Sequence, residues 1–494
     1  MKRLPATMAF ALALIVGARA QQAPARTQLV IVVDALRPDY VTPEVMPRLY
    51  RLGQRGIVFR AHHSVFPTVT RVNASSFVTG AYPETHGLMG NNIYSPKANA
   101  TKGLDTGDRA NLEAVERAEG ILLTAPTLSE ILKPAGKTLL AVSSGSSGSA
   151  YLLNHLQASG GIIHYDFATP PALAARALAL LGPPPAHATP NDPQNQYAID
   201  AYLKVGLTEV HPDVTFMWLN DPDGTAHTNG IGSELTMRSL ALVDAGIGRV
   251  EDALQARGLL DRTNIIVTSD HGFSTHTREL RLASLVDPFA RTMPDGSKDI
   301  VVAEGSINLR SGSDPARVAA IVAALQKRPE VGAIFTRNGA VPGTLSFDVA
   351  RWTHARAGEI LVSANWNSDK NEAGWPGKTT DGGVAGHGTS SPWDIHNTLI
   401  AVGPDFREHA VSEVPTANVD IAPTLLRLLG MKPAPSMTGR VIEEGLRTGP
   451  SPASVRVERA NQTVKTPDGA YELTARVSTA AGKRYLDSTE VVRK

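Results

Sequence analysis

Six Asp and His residues, spread over most of the chain, have side chains that could bind divalent metal ions. The six are Asp34, Asp223, His227, Asp270, His271 and His387. Nearly all of them follow an apolar, β-branched segment of the chain. Carboxylate oxygens and imidazole nitrogens without any thiolate suit Zn²⁺, with Mn²⁺ as the alternative. Two such ions can stabilise the attacking and the leaving oxygen of an in-line displacement. Any one Asp-His pair is also typical of a turn or a cap, so the prediction of a two-metal centre depends on the whole set.

Thr70 is the candidate nucleophile. It ends the run Pro67-Thr68-Val69-Thr70, which follows an apolar segment and precedes residues that could open a helix. Backbone N–H groups converge on an anion at a strand-to-helix turn of this kind. Because a Thr hydroxyl is a weak nucleophile at its own pKa, it needs a base or a metal ion to activate it. A Thr in such a run is also a common turn or N-cap residue, so its role depends on the metal ligands downstream.

These side chains are far apart in the sequence, so the fold must bring them together at one edge of a sheet. Continuous apolar segments predict buried strands of a parallel sheet at residues 28–33, 137–142, 213–220 and 263–269. Helical patterns alternate with them, as at residues 234–257. Open α/β sheets bind their ligands at the carboxyl ends of the strands. The sequence therefore predicts a doubly wound α/β fold, with a mostly parallel sheet and helices on both faces.

The stretch 66–91, with the later motifs SDHG at 269–272, PDGTAH at 222–227 and GHG at 386–388, carries a family resemblance. It resembles the type I phosphodiesterase/nucleotide pyrophosphatase family of the alkaline phosphatase superfamily. The resemblance implies that Thr70 attacks phosphorus and that Asn91 helps to hold the phosphoryl oxygens. It also implies that one ion is bound by Asp223, His227 and His387, and the other by Asp34, Thr70, Asp270 and His271.

The implied activity is that of a two-metal phosphohydrolase. It would cleave phosphodiester or pyrophosphate bonds of a small-molecule ester through a covalent phosphothreonine, which water then hydrolyses. The alternatives within the superfamily are a phosphomonoesterase and a phosphonate or sulfate ester hydrolase. A non-catalytic binding protein that retains the fold is a further alternative.

Two positions depart from the pattern that the resemblance predicts. The family often has an aromatic residue directly after the nucleophile, where this chain has Arg71. Arg71 could bind a second phosphate or a carboxylate of the substrate, or it could face solvent. Related phosphatases that prefer monoesters carry a Lys and an Arg in the loop after the strand that corresponds to 137–142. Here residues 143–149 read SSGSSGS, which predicts a flexible loop without a cation and favours diesters or pyrophosphates over monoesters.

The chain of 494 residues divides into a leader, a catalytic domain and an insertion. Residues 1–20 have the charged start, short apolar core and Ala18-Arg19-Ala20 site of a signal peptide. We therefore expect export to the periplasm or the medium after cleavage near Ala20. The catalytic domain is predicted at 21–272 and 385–494, with one or two strands after residue 454. Residues 273–384 are predicted to form a small inserted α/β lid subdomain.

Composition excludes several kinds of site. Lys and Arg total 48 against 47 Asp and Glu, so no basic face for nucleic acid is inferred. The absence of Cys excludes disulfides and thiolate metal ligands. After the leader, no apolar run has the length of a membrane span, so we expect none.

Overall fold

A computed structural model describes residues 26–494. Nine strands of this described chain form the main sheet, and seven of them run in one direction. The central strand Thr27–Val33 lies parallel to Thr263–Thr268 on one side and to Val214–Leu219 on the other. In spatial order the strands are Ala410–Ser412, Ile57–Phe59, Leu399–Val402, Thr263–Thr268, Thr27–Val33, Val214–Leu219, Leu139–Ser143, Gly161–His164 and Ala168–Thr169.

Alternate residues of the central strand enter two separate hydrophobic cores. Val30 and Val32 pack on one face, whereas Leu29, Ile31 and Val33 pack on the other. Because successive side chains of a strand point to opposite faces, a strand that is apolar throughout requires helices on both sides. The first face is covered by Thr70–Thr79, Arg109–Glu119, Leu128–Leu132, Ser147–Leu153 and Ile421–Leu428, and the second by Pro47–Arg55, Pro171–Leu181, Asp192–Asp200 and Glu234–Ala256. The predicted doubly wound, mostly parallel α/β fold is confirmed.

The segment predicted as an insertion builds a sheet of its own. Five strands within residues 300–364 form this insertion sheet, which the helices Leu282–Val286 and Pro315–Gln326 cover. In spatial order they are Ile300–Ala303, Ser306–Leu309, Ile360–Ala364, Val331–Thr336 and Leu345–Ser346. A smaller sheet joins this segment to the loops of the candidate metal ligands His271 and His387, with strands Trp366–Lys370, Pro376–Thr379, Ser274–His276 and Ala385–Gly386.

The C-terminal region contains three strands where the sequence predicted one or two. Val457–Lys465, Tyr471–Ala480 and Lys483–Arg493 form an antiparallel meander. Its last strand contacts the loop that follows His387, because Thr489 N donates to Ser390 O at 3.0 Å. The first strand is largely exposed on both faces, so it lacks the apolar pattern that would have revealed it.

The prediction of a flexible loop at 143–149 is wrong for its second half. Ser146 caps a helix that spans Ser147–Leu153, and its hydroxyl accepts from Ser149 N at 3.2 Å. The Ser/Gly composition concealed a helix start, because Ser is a favoured N-cap residue. Residues Ala201–Val210 continue the preceding helix, Asp192–Asp200, as a π-helix. The predicted signal peptide lies outside the described residues.

Within residues 26–494, no helix is both long enough and apolar enough to cross a lipid bilayer.

Candidate active site

The predicted Asp and His residues come together at the carboxyl edge of the main sheet. Asp34 directly follows the central strand, and Asp270 and His271 follow the neighbouring strand Thr263–Thr268. Asp223 and His227 lie on the short helix Asp223–Asn229, which comes after the strand on the other side. His387 follows Ala385–Gly386. Parallel strands that are adjacent in the sheet thus present these side chains to one another.

The side chains lie close enough to share metal ions. The ligand atoms of Asp34, Asp270 and His271 lie within 4.8 Å of one another, as do those of Asp223, His271 and His387. His271 Nε2 is 3.0 Å from Asp270 Oδ2 and 3.5 Å from Asp34 Oδ1. His227 completes the set from the rim, where its side chain is 42% exposed and its Nε2 is 3.2 Å from Asp223 Oδ1.

All three imidazoles are oriented in the same way. The Nδ1 atoms of His227, His271 and His387 lie 2.9 Å from the carbonyl oxygens of Ala385, Gly272 and Thr68, respectively. Since a carbonyl can only accept, each Nδ1 must carry the proton. Each Nε2 therefore keeps its lone pair for the cluster, as a metal-binding imidazole requires.

The carboxylates also keep free oxygens. Asp34 Oδ1, Asp223 Oδ1 and Asp270 Oδ2 are buried, and none accepts a hydrogen bond from any part of residues 26–494. Their partner oxygens are in part held in place, since Trp218 Nε1 donates to Asp34 Oδ2 at 2.9 Å and Ala35 N donates to Asp270 Oδ1 at 3.3 Å. Buried polar atoms normally have partners, so three free oxygens at one point fit a site built for cations.

The charge balance of the cluster favours cations as well. Burial, followed by the carboxylates of Asp270 and Asp223, raises the pKa of Asp34 well above its ordinary value. Burial also acts to raise the pKa of Asp223, but the neighbouring imidazoles in their protonated form, led by His227, lower it, so positive charge at this point stabilises the carboxylate. Burial and the nearby His271 imidazole lower the pKa of His387, which keeps that ring neutral. Two divalent ions would relieve the repulsion among the carboxylates. The residues present therefore fit a pair of such ions.

Thr70 is the first residue of the helix Thr70–Thr79 and is almost fully buried. Its Oγ1 lies 3.3 Å from His271 Nε2, the nitrogen that also faces Asp34 and Asp270. The hydroxyl is thus at a helix N-terminus, where free N–H groups favour an anion. Asn91 lies beside it, and its Oδ1 accepts from Arg71 N at 2.9 Å. This hydrogen bond leaves the Asn91 amide nitrogen as the group that can donate to a bound oxygen.

The Arg71 side chain points away from open solvent, with 16% of it exposed. Its Nη2 is 3.6 Å from Asp105 Oδ1, and within the described chain its buried Nε has no hydrogen-bond partner. Glu304, from the insertion sheet, lies nearby, and its Oε2 accepts from Asn92 N at 3.0 Å. Burial raises the pKa of the Glu304 carboxyl, and the Arg71 guanidinium opposes that shift. Arg71 therefore has acidic neighbours.

Several supporting residues escaped sequence reasoning. The Trp218 indole N–H donates to Asp34 Oδ2. The Thr68 hydroxyl donates to Thr389 O at 2.8 Å and accepts from Gly388 N at 3.1 Å, which fastens the loop after His387. Asn418 Nδ2 donates to the Asp270 carbonyl at 2.9 Å, and its Oδ1 lies 2.9 Å from His62 Nε2. A buried Trp usually hydrogen-bonds its N–H, so a Trp one residue before a strand end was the one available signal.

The fold and the site together define an alkaline phosphatase-like α/β protein with a candidate metal centre at the carboxyl edge of its sheet. The model of the type I phosphodiesterase / nucleotide pyrophosphatase family matches residues 28–390. The chain belongs to this family, and the resemblance predicted from the sequence is confirmed.

Individual relatives are distant. The venom phosphodiesterase of Naja atra is 25% identical over 418 residues, which are 82% of this chain and 44% of that protein. Bis(5'-adenosyl)-triphosphatase ENPP4 of Bos taurus is 24% identical over 437 residues, 86% of this chain and 83% of that protein. This chain therefore spans less than half the length of the venom protein. The solved structure of murine ectonucleotide pyrophosphatase/phosphodiesterase 5 has a TM-score of 0.59 and 19% identity, and it covers 83% of this chain and 96% of its own.

Proposed function

We propose that this protein is a metal-dependent hydrolase that cleaves phosphodiester or pyrophosphate bonds through a covalent phosphothreonine on Thr70. The observation that carries the proposal is the buried Thr70 Oγ1, at a helix N-terminus and 3.3 Å from His271 Nε2. His271 belongs to both close trios of candidate Asp and His ligands. Membership of the family supports the same reaction class.

The cofactors would be two divalent ions, with Zn²⁺ as the first candidate and Mn²⁺ as the second. Asp34, Asp270 and His271 would hold one ion with Thr70, and Asp223, His227 and His387 would hold the other. When bound, the ions supply positive charge that favours the Thr70 alkoxide and stabilises the negative oxygens of the transition state.

The chain's own groups would position the substrate for two displacements. Thr70 Oγ1 attacks phosphorus, the alcohol or phosphate group leaves, and Thr70 holds the phosphoryl group until water hydrolyses the ester. The Asn91 amide donates to a phosphoryl oxygen, while its Oδ1 stays bonded to Arg71 N. Phosphoryl transfer requires mainly positioning and electrostatic stabilisation, which these fixed groups provide.

We infer that the substrate is a small phosphate ester, with diesters preferred over monoesters. A monoester dianion brings one more negative charge than a diester, and residues 143–149 contain no cation to receive it. Arg71 is the candidate cation near the nucleophile, and its guanidinium lies by Asp105. We expect kcat/KM for a diester to exceed that for the matching monoester by at least about tenfold, or ~1.4 kcal/mol of transition-state binding.

One experiment tests both the metal requirement and the substrate class. The purified protein is stripped with a chelator, and its metal content is measured before and after reloading with Zn²⁺ or Mn²⁺. Methyl p-nitrophenyl phosphate and p-nitrophenyl phosphate share one leaving group and serve as diester and monoester. Turnover should vanish on stripping and return on reloading. Full activity in protein shown to be metal-free would overturn the proposal, and a monoester preference would overturn the substrate class.

We also propose that the protein is exported, with its mature chain starting near Gln21 and an inserted lid subdomain at 273–384. The support for export is the leader pattern of residues 1–20. N-terminal sequencing of protein recovered from the periplasm or medium tests it, and a start at Met1 in the exported fraction would contradict cleavage near Ala20.

A further inference from the structure

Glu304 lies at the tip of a hairpin of the insertion sheet. The strands Ile300–Ala303 and Ser306–Leu309 pair antiparallel, with Ala303 opposite Ser306, so Glu304 and Gly305 form the connecting turn. Glu304 has a φ of 55°, in the left-handed region that favours glycine. A long acidic side chain is thus held at a position where the backbone alone would select a smaller residue.

This hairpin tip reaches the loops that carry the candidate catalytic groups. Glu304 Oε2 accepts from Asn92 N at 3.0 Å, next to Asn91. A Cβ added to Gly90 would lie 3.1 Å from the Glu304 Cβ, and one added to Gly388 would lie 3.8 Å from its Oε1. The carboxylate therefore sits between the loop of Asn91 and the loop that follows His387. Both loops belong to the candidate active site.

A cavity of 360 Å³ opens beside this carboxylate. Its lining includes Pro67, Asn92 and Gly388 from the predicted catalytic domain. It also includes Glu304 and Asp381 from the insertion segment, residues 273–384. Among the lining residues in the described chain there are two carboxylates and no Lys or Arg. A substrate group that enters this cavity meets these two carboxylates, and the cation that acts on Glu304, Arg71, is not among the lining residues.

We propose that Glu304 is a specificity-determining residue that selects against a second negative charge on the reacting phosphoryl group. Its carboxylate repels a monoester dianion more strongly than a diester monoanion, because the repulsion scales with the charge of the bound group. The insertion thus contributes a charge filter, which adds to the missing cation of residues 143–149. This inference rests on the proposed phosphohydrolase function and assigns its preference for diesters to one side chain.

The substitution Glu304→Gln isolates the charge. Glutamine has nearly the same shape, and its Oε1 can still accept from Asn92 N, so only the charge is removed. We expect kcat/KM for p-nitrophenyl phosphate to rise about tenfold relative to that for methyl p-nitrophenyl phosphate, or ~1.4 kcal/mol. The assay uses the metal-loaded protein at about pH 8, above the second pKa of a phosphate monoester at about 6.

Glu359→Gln is the matched control. Glu359 is also in the insertion segment, and its carboxylate accepts a backbone hydrogen bond from Leu309 N at 2.8 Å, but it does not line the cavity. Its substitution should leave the monoester-to-diester ratio unchanged. Thermal unfolding of all variants shows whether each one folds.

The possible outcomes separate cleanly. An unchanged ratio in folded Glu304→Gln, or an equal fall with both esters, would overturn the charge filter and leave Glu304 as a support for the Asn91 loop. If Glu304→Gln does not fold, Asp381→Asn carries the test, because Asp381 lines the same cavity. It should raise the ratio in the same direction by a smaller factor, and no rise would refute the proposal. Thr70→Ala keeps the two proposals apart, since diester hydrolysis that survives it contradicts the proposed function whatever Glu304 does.

Discussion

Removing the hydroxyl of Thr70 and removing that of Thr68 should have opposite consequences. The Thr70 Oγ1 has one side-chain neighbour at hydrogen-bond distance among the described residues, His271 Nε2 at 3.3 Å. The Thr68 hydroxyl makes two hydrogen bonds, to Thr389 O and from Gly388 N, and it is fully buried. We therefore expect Thr70→Ala to abolish chemistry with little effect on stability. Thr68→Ala should destabilise the fold while chemistry largely survives.

The magnitudes follow from what each hydroxyl does. Thr68→Ala leaves a buried carbonyl and a half-buried N–H without their partner, which costs about 1–3 kcal/mol in the free energy of unfolding. Thr70→Ala removes one weak contact, so its effect should stay within about 1 kcal/mol. Loss of the nucleophile should lower kcat/KM by at least about 10³-fold, or ~4 kcal/mol. Thr68→Ala should lower kcat/KM by less than about tenfold.

The assay combines diester turnover with thermal unfolding at saturating Zn²⁺, because Thr70 is also a candidate metal ligand. The metal content of each variant is measured so that loss of an ion is not mistaken for loss of the nucleophile. Trapping of a phosphorylated protein at low pH should succeed with the wild type and fail with Thr70→Ala. If Thr68→Ala proved the more damaging to turnover, or if Thr70→Ala could still be phosphorylated, Thr70 would not be the nucleophile.

Two further predictions concern a neighbour of the nucleophile and the buried histidines. Asn91→Ala removes the amide donor together with the Oδ1 that accepts from Arg71 N, so transition-state stabilisation should fall by roughly 2–4 kcal/mol, which lowers kcat/KM by about 30- to 1,000-fold; equal activity of Asn91→Ala and wild type would exclude Asn91 as a donor. Acid should destabilise the fold, because burial lowers the pKa of His62 and of His86 to about 3, and both stay neutral until the protein unfolds. Each unfolded imidazole binds a proton below its pKa of about 6.5, so stability that is present above about pH 6.5 is lost as the pH falls towards about 3. At about pH 5.5 the loss should be ~1.4 kcal/mol per histidine. Urea unfolding at about pH 7.5 and 5.5 measures it, and equal midpoints would contradict the prediction.

The sequence predicts best those features whose tertiary environment is already reflected in the local pattern of apolar residues. The apolar segment before Asp34 predicts a strand buried on both faces, and the structure places it at the centre of the main sheet. The Asp and His positions could be predicted because parallel strands end at one edge, so spacing along the chain becomes proximity in space. A run of apolar residues is a property of the segment alone, so burial on both faces can be predicted without knowing which elements cover the strand.

Features that depend on partners far along the chain were not predictable in the same way. The helix Ser147–Leu153 has a Ser/Gly-rich start that is also typical of a loop, and its residues Ala150, Leu152 and Leu153 become buried only by packing on the main sheet and on neighbouring helices. Glu304 had no local signal at all, since its role arises from a hairpin more than two hundred residues after Asn91. A buried Trp usually hydrogen-bonds its N–H, but the apolar strand around Trp218 does not indicate that the acceptor is the carboxylate of Asp34.

The orientation of the imidazoles could not be predicted from the sequence, because backbone carbonyls determine it. His387 is held by the carbonyl of Thr68, two residues before the nucleophile, and His227 is held by the carbonyl of Ala385, two residues before His387. Each ring is thus oriented by the backbone of the next loop in the site, so the loops of Thr70, His227 and His387 interlock. Every residue has a carbonyl, and so these acceptors leave no trace in residue type. A shift of the Thr68 carbonyl would turn His387, and a shift of the Ala385 carbonyl would turn His227. We infer that the backbone, more than any single side chain, preorganises the candidate metal centre.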